Sequence, residues 1–158
     1  KNKGEKDSIL NIVSNSFWEA DAYLKENQRP NTSTLIVTGG WLEGMYIACK
    51  VYEKGKNPKI RARLVSSPQK SSLNSLLSLI NLEKQSAECQ FLTEGLKKLQ
   101  DLYAKIPDQK TGSVAKTDST SGEVTIGASG TEPKTDEAIV TEIVKTVTDL
   151  RTKVIAFK

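Results

Sequence analysis

Among the side chains able to do chemistry, Glu43 has the most unusual setting, within the least polar stretch of the chain, Asn31–Gly55, between Trp41 and Tyr46. A carboxyl in apolar surroundings can be held protonated and act as a general acid, provided a second carboxylate or a histidine works with it. The chain has no histidine, and no spacing brings the upstream carboxylates Glu19 and Asp21 beside Glu43. The expected role of Glu43 is therefore structural, paired with a lysine or arginine or facing water. Trp41, Met45, Tyr46 and Tyr52 share a helical spacing with which they could line a ligand groove. That spacing is also the one a packed core uses, and core is the expectation here.

Cys49 and Cys89 are the chain's two cysteines, and they form no CxxC pair. Two thiols cannot complete a zinc site, and without histidine neither has a partner to activate it as a nucleophile. A disulfide would need export and also proximity. One helical pass separates the two residues, so an up-down arrangement puts them at opposite ends, beyond the roughly 7 Å between Cα atoms that a disulfide tolerates. Two free, mostly buried thiols are expected. Lys54, Lys56, Lys59, Arg61, Arg63 and Lys70 form a basic run with no acidic residue between them. Such a run could face phosphates or an anionic membrane, but no aromatic residues interleave with it as single-strand binding favours. The expectation is that its first members complement the C-terminal dipole of a helix and the rest form a solvated face, with no nucleic acid bound. GGWLEG lacks the lysine and Ser/Thr of a phosphate loop. The sequence thus assigns no catalytic, cofactor-binding or metal-binding residue, and a non-enzymatic protein is expected.

These residues sit on elements that the apolar periodicity makes legible. With 158 residues, 37% hydrophobic and 27% charged, the chain suits one soluble domain with a sizeable core. The net charge of +4 is too small to imply a polyanionic partner. A first helix is expected over 8–27, capped by Asp7 or Ser8, with Ile9, Leu10, Val13, Phe17, Ala20 and Leu24 on one face. The Arg29–Pro30 pair ends it and turns the chain into an antiparallel neighbour. That neighbour, over 32–54, has Asn31, Thr32 and Ser33 as cap candidates and Gly55 with Pro58 as its stop. Its apolar positions recur at three, four and seven, which fits a helix better than the strict alternation of a strand. Glu43 and Lys50 interrupt it too soon for the roughly 20 apolar residues of a membrane span.

Gly39, Gly40 and Gly44 lie inside this second helix, where each costs roughly 0.5–1 kcal/mol relative to alanine. The expected return is close approach of neighbouring helices on a smooth patch, which would make this segment the hub of the fold. A third helix over 59–84 carries Ile60, Leu64, Leu73, Leu76, Leu77 and Ile80, kinked or broken near Pro68. A fourth over 86–106 buries Phe91, Leu92, Leu96, Leu99, Leu102, Tyr103 and Ile106, and Pro107 ends it. Residues 108–133 turn to Ser, Thr, Gly and Lys, and a long flexible loop is the expectation. A weak hairpin of Ser113–Lys116 with Glu123–Gly127 is the alternative. Thr135 should cap a last helix over 135–156, with Ile139, Ile143, Val147, Leu150 and Val154 buried and Val140, Val144 and Ile155 widening the face. The fold expected is all-α, an antiparallel bundle of about five helices with the Ser/Thr/Gly-rich loop before the last.

The stretch TLIVTGGWLEGMYIA, followed by a basic turn containing NP and then QKSSLNSLLSLI, resembles uncharacterised helical proteins exported by Bacteroidetes. The resemblance covers Leu35 to Ile80. It implies an α-helical domain outside the cytoplasm, in the periplasm or at the outer membrane. Such proteins are commonly lipid-anchored, so it also implies peripheral membrane association through an anchor that this chain does not itself show. Lys1 in place of a methionine leads us to expect a processed or trimmed chain. The functional expectation is an interaction or scaffold domain of the cell envelope with a protein partner. The alternative is a small-ligand or lipid-binding bundle, with its pocket between the glycine-bearing helix and its neighbours.

Overall fold

Hydrophobic stripes at helical spacing leave each helix with one side that must be covered, and the computed structural model shows how the chain covers most of them. It describes residues 3–82, 87–107, 113–117, 124–128 and 135–156. Helices α1 (Lys3–Glu26), α2 (Pro30–Gly55), α3 (Pro58–Leu64), α4 (Ser67–Leu82), α5 (Ala87–Ala104) and α6 (Glu137–Ala156) make an all-α bundle. Between α5 and α6 lie the strands β1 (Ser113–Thr117) and β2 (Val124–Ala128), paired antiparallel with Ala115 opposite Ile126. Where a flexible loop was expected over 108–133, these two strands pair, close to the alternative hairpin. The remainder of that segment lies outside the described residues.

α2 is the hub, in contact with α1, α3, α4, α5 and α6. The face that makes it so is not the glycine face. Leu42, Met45, Cys49 and Tyr52 point into one core, with Leu64 and Val65 at the end of α3, Leu73, Leu77 and Ile80 of α4, and Cys89, Leu92, Leu96, Leu99 and Tyr103 of α5. Val140, Ile143, Val144, Val147 and Leu150 of α6 complete it. The stripes expected on α4, α5 and α6 are thus buried for the most part, with Phe91, Leu102, Ile139 and Val154 half-buried against the core and Ile155 exposed. The broken form of the third helix is the one found, because Pro68 fits only the first turn of a new helix.

Several helix ends differ from expectation. α1 begins at Lys3, so Asp7 and Ser8 lie inside it. α2 begins at Pro30 with no side-chain cap on Arg29, and it stops at Lys56, in the left-handed region with φ 47. Asp136, not Thr135, caps α6, its carboxylate accepting from the Ala138 N–H at 3.0 Å. Thr135 is buried, and its carbonyl accepts a hydrogen bond from Arg61.

The largest departure is α1. From Glu5 to Ala20 every side chain whose burial is described is exposed, including Ile9, Leu10, Val13 and Phe17 of the face expected to be buried. Asp21 and Leu24 become partly covered only near the turn into α2. The Asp21 carboxylate there accepts hydrogen bonds from the Ser33 hydroxyl and from Lys25. The core is already closed by α3 to α6 against the opposite side of α2, so α1 has no core to enter.

Gly39, Gly40 and Gly44 do not admit a neighbour: nothing lies within 4 Å of where a Cβ would stand on any of them. The glycine that does is Gly95 of α5, where a Cβ would collide with the Leu150 side chain of α6. α6 is tied to α2 and α3 by polar contacts as well. The Tyr52 hydroxyl donates to Glu137 at 2.6 Å and Arg61 Nε donates to the same carboxylate at 3.1 Å. The Tyr103 hydroxyl donates to the Leu64 carbonyl within the core.

Two expected outcomes follow from this packing. Gly95→Ala should destabilise by about 1–3 kcal/mol through overpacking against Leu150, whereas Gly44→Ala should stabilise by about 0.5–1 kcal/mol because only helix propensity changes; urea unfolding of the two variants checks the opposite signs. The Tyr52 hydrogen bond, and then Arg61, hold the Glu137 carboxyl below its ordinary 4.5. A depressed folded value gives stability that is present above 4.5 and lost as pH falls through the folded value. Glu137→Gln should therefore cost about 1 kcal/mol at pH 7, discounted for the exposed carboxylate, and urea titrations should show the gap to wild type narrowing as pH falls below 4.5.

Candidate functional site

At 100° per residue α2 presents two opposed stripes. The inner one carries Thr34, Thr38, Leu42, Met45, Cys49 and Tyr52, all buried. The hydroxyl of Thr38 donates to the Thr34 carbonyl at 2.8 Å, so that even the polar members are satisfied within the helix. The outer stripe carries Ile36, Val37, Gly40, Gly44, Ile47 and Val51. The four large side chains among these are exposed by 45% or more, and both glycines are exposed. An apolar helix face with bare backbone at its centre is left without a neighbour among the described residues.

Beside that face lies a groove of about 300 Å³. Gly40, Trp41, Gly44 and Met45 of α2 form one wall, and Arg63 and Leu64 of α3 contribute the other. The Trp41 indole N–H is buried at its edge without a hydrogen-bond partner. A volume near 150 Å³ already holds a benzene ring, so the groove has room for one large apolar side chain or a small apolar molecule. A second hollow of about 140 Å³, between α5 and α6, is ringed by Glu94, Lys98, Asp149 and Lys153 and is a polar surface dip.

Of the aromatic set expected to be core, Tyr52 is buried, while Trp41 and Met45 reach both the core and the groove. Tyr46 lies under the Arg151 guanidinium, 4.1 Å from the ring centroid. That same arginine grips Glu43 with both nitrogens, Nε at 2.7 Å and a terminal nitrogen at 3.1 Å. The grip holds the Glu43 carboxyl below its ordinary value, chiefly through the hydrogen bonds from Arg151. Glu43 is therefore ionised at neutral pH and cannot donate a proton, and its role is the pairing that was expected. Glu19 is exposed on α1, and Asp21, held low chiefly by Lys25 and then by Ser33, serves the turn.

The basic run is divided in its use. Arg61 is drawn into the contact with Glu137 and Thr135, a correction to the solvated face expected of it. Lys56 sits over the Tyr52 ring at 4.8 Å. Lys54, Lys59 and Arg63 are exposed. Among the described residues no group of three or more His, Cys, Asp or Glu could hold a metal ion, and no helix is long and apolar enough to cross a membrane.

Sequence spacing missed Arg151 and Arg63. Both act across elements, and the Glu43–Arg151 pair spans 108 positions, beyond any local pattern. No protein-family model, curated protein or solved structure matches the chain.

Neither Cys49 nor Cys89 is in a disulfide, and both are buried. Burial pushes the Cys49 thiol up to about 12, with the nearby Glu53 adding to the shift. A thiol so poised is inert. Iodoacetamide at pH 8 should leave both unlabelled in the folded protein and alkylate both in denaturant, as read by mass spectrometry.

Proposed function

We propose that this chain is a non-enzymatic interaction domain of an exported cell-envelope protein, and that α1 together with the outer face of α2 is the surface that meets its partner. One observation carries the reading. Among the described residues, all the exposed large hydrophobic side chains but Leu82 and Ile155 lie on α1 and α2. Scattered exposed leucines and valines are ordinary, but a contiguous apolar patch on two adjoining helices marks a contact surface. The envelope setting is supported by the resemblance of Leu35–Ile80 to exported helical proteins. Two buried thiols are also compatible with an oxidising compartment, where exposed ones would cross-link.

The groove beside Gly40 and Gly44 supports a second reading, a site for a small apolar ligand. Its size is at the lower end of the 300–1,000 Å³ typical of ligand pockets, and a single guanidinium, Arg63, stands at its wall. Such a ligand would touch Trp41, so it would quench indole fluorescence and lose affinity in Gly44→Leu.

The two readings separate experimentally. Replacing Leu10 and Phe17 together by aspartate should leave urea stability within about 0.5 kcal/mol of wild type, since neither residue is in the core. The same variant should fail to retain from envelope extracts whatever the wild-type bait retains. A large loss of stability, or retention unchanged by the substitutions, would refute α1 as the contact surface.

A further inference from the structure

We propose that the partner of this surface is a second copy of the same chain: the α1–α2 hairpins of two copies pack together, with α1 of each lying along the Gly40/Gly44 face of the other. The inference deepens the interaction-domain reading and depends on it. Its first ground is the width of the apolar arc on α1. At 100° per residue, Ile12 to Leu10 spans roughly 160° of the wheel. A strict coiled-coil seam is narrower than that, and an arc so wide needs two helical neighbours. The chain's own α2 is one helix, and it already meets α1 only near the Asn27–Arg29 turn. A second hairpin offers two more, its own α1 and its α2, which together make a four-helix bundle.

Shape is the second ground. Leu10, Val13, Phe17, Ala20 and Leu24 alternate in steps of three and four, the spacing of knobs along a coiled-coil helix. The outer face of α2 is their counterpart, with no side chain at Gly40 or Gly44, open space above both, and a groove of about 300 Å³ alongside. The Asp21–Ser33 hydrogen bond shows which sides of the two helices already face each other at the turn. Phe17 and Leu10 continue the α1 side, and Gly40 and Gly44 continue the α2 side. Beyond that bond both sides stand uncovered.

Charge and area bear on the occupant. α1 carries Glu5, Asp7, Glu19, Asp21 and Glu26 against Lys3, Lys6 and Lys25, an acidic excess that lies in its second half. The net acidity of α1 disfavours an anionic lipid surface, for which such helices carry lysine and arginine on the polar face. The large apolar side chains exposed on the hairpin, at roughly 100 Å² apiece, offer about 1,000 Å² per copy, enough for the roughly 800 Å² per partner of a standard stable interface.

The test is sedimentation velocity of the intact chain from about 1 to 100 μM, with expected dissociation in the micromolar range. Phe17→Asp, and separately Gly44→Leu, which fills the groove, should each weaken the dimer at least tenfold while leaving the far-UV circular dichroism melt in place. As a geometric check, Phe17→Cys and Gly40→Cys proteins are prepared separately and mixed under oxidation. A disulfide between them can form only between two copies, and its appearance supports the arrangement. A chain that stays monomeric at 100 μM, a dimer indifferent to both substitutions, or binding as a monomer to phosphatidylglycerol vesicles overturns it. A monomer whose extract partner is still lost with Phe17→Asp overturns only the dimer; a melt shifted far down by Phe17→Asp overturns the interaction surface itself.

Discussion

Leu42, Met45, Cys49 and Tyr52 commit one side of α2 to water exclusion, and the rest of the bundle is arranged to honour that commitment. α3, α4, α5 and α6 all meet it, and their buried side chains close one core with it. Two polar ties fix α6 along it, Glu43 with Arg151 near the middle and Tyr52 with Glu137 near the end. Because each tie joins an exposed or half-exposed carboxylate to a cation or hydroxyl, they contribute orientation more than stability. The energy comes from the apolar side chains between them.

A helix with one face so occupied must do something else with its back. Here the back is made of β-branched residues and glycines, which gives a smooth apolar ribbon rather than the charged coat of a surface helix. α1 repeats the pattern from the other direction, with its apolar stripe from Ile9 to Phe17 in the open. Two such features on consecutive helices, joined through a three-residue turn with Gln28 at φ 57, form a unit distinct in character from the bundle behind them.

Much of the architecture was legible because it is periodic. The buried stripes of α4, α5 and α6 follow directly from apolar residues recurring at three and four, and Pro68 announced the break between α3 and α4. What failed had no local signature. The amphipathicity of α1 says that a face wants covering, but not that this chain supplies the cover. Three glycines in an apolar helix suggested close packing, yet a missing side chain means only that something could approach. Gly95 went unremarked as a lone glycine in a strongly helical stretch, and only the opposing Leu150 gives it meaning. The site was partly visible: Glu43 was read as structural, paired or facing water, and it is paired. Trp41 and Met45 were read as core, and their second role in the groove depends on α3, whose placement no spacing in α2 encodes.

The position of α6 in the chain bears on how the protein is made. Its contacts with α2 join residues 85 and 108 positions apart, and the β-hairpin segment comes off the ribosome between α5 and α6. At roughly 5–20 residues per second, the earlier helices wait a few seconds for the last one. Throughout that interval the inner ribbon of α2 and the facing side of α5 lack their final cover. The nascent chain is then at its stickiest, and sequestration by a holding chaperone would matter most in that window.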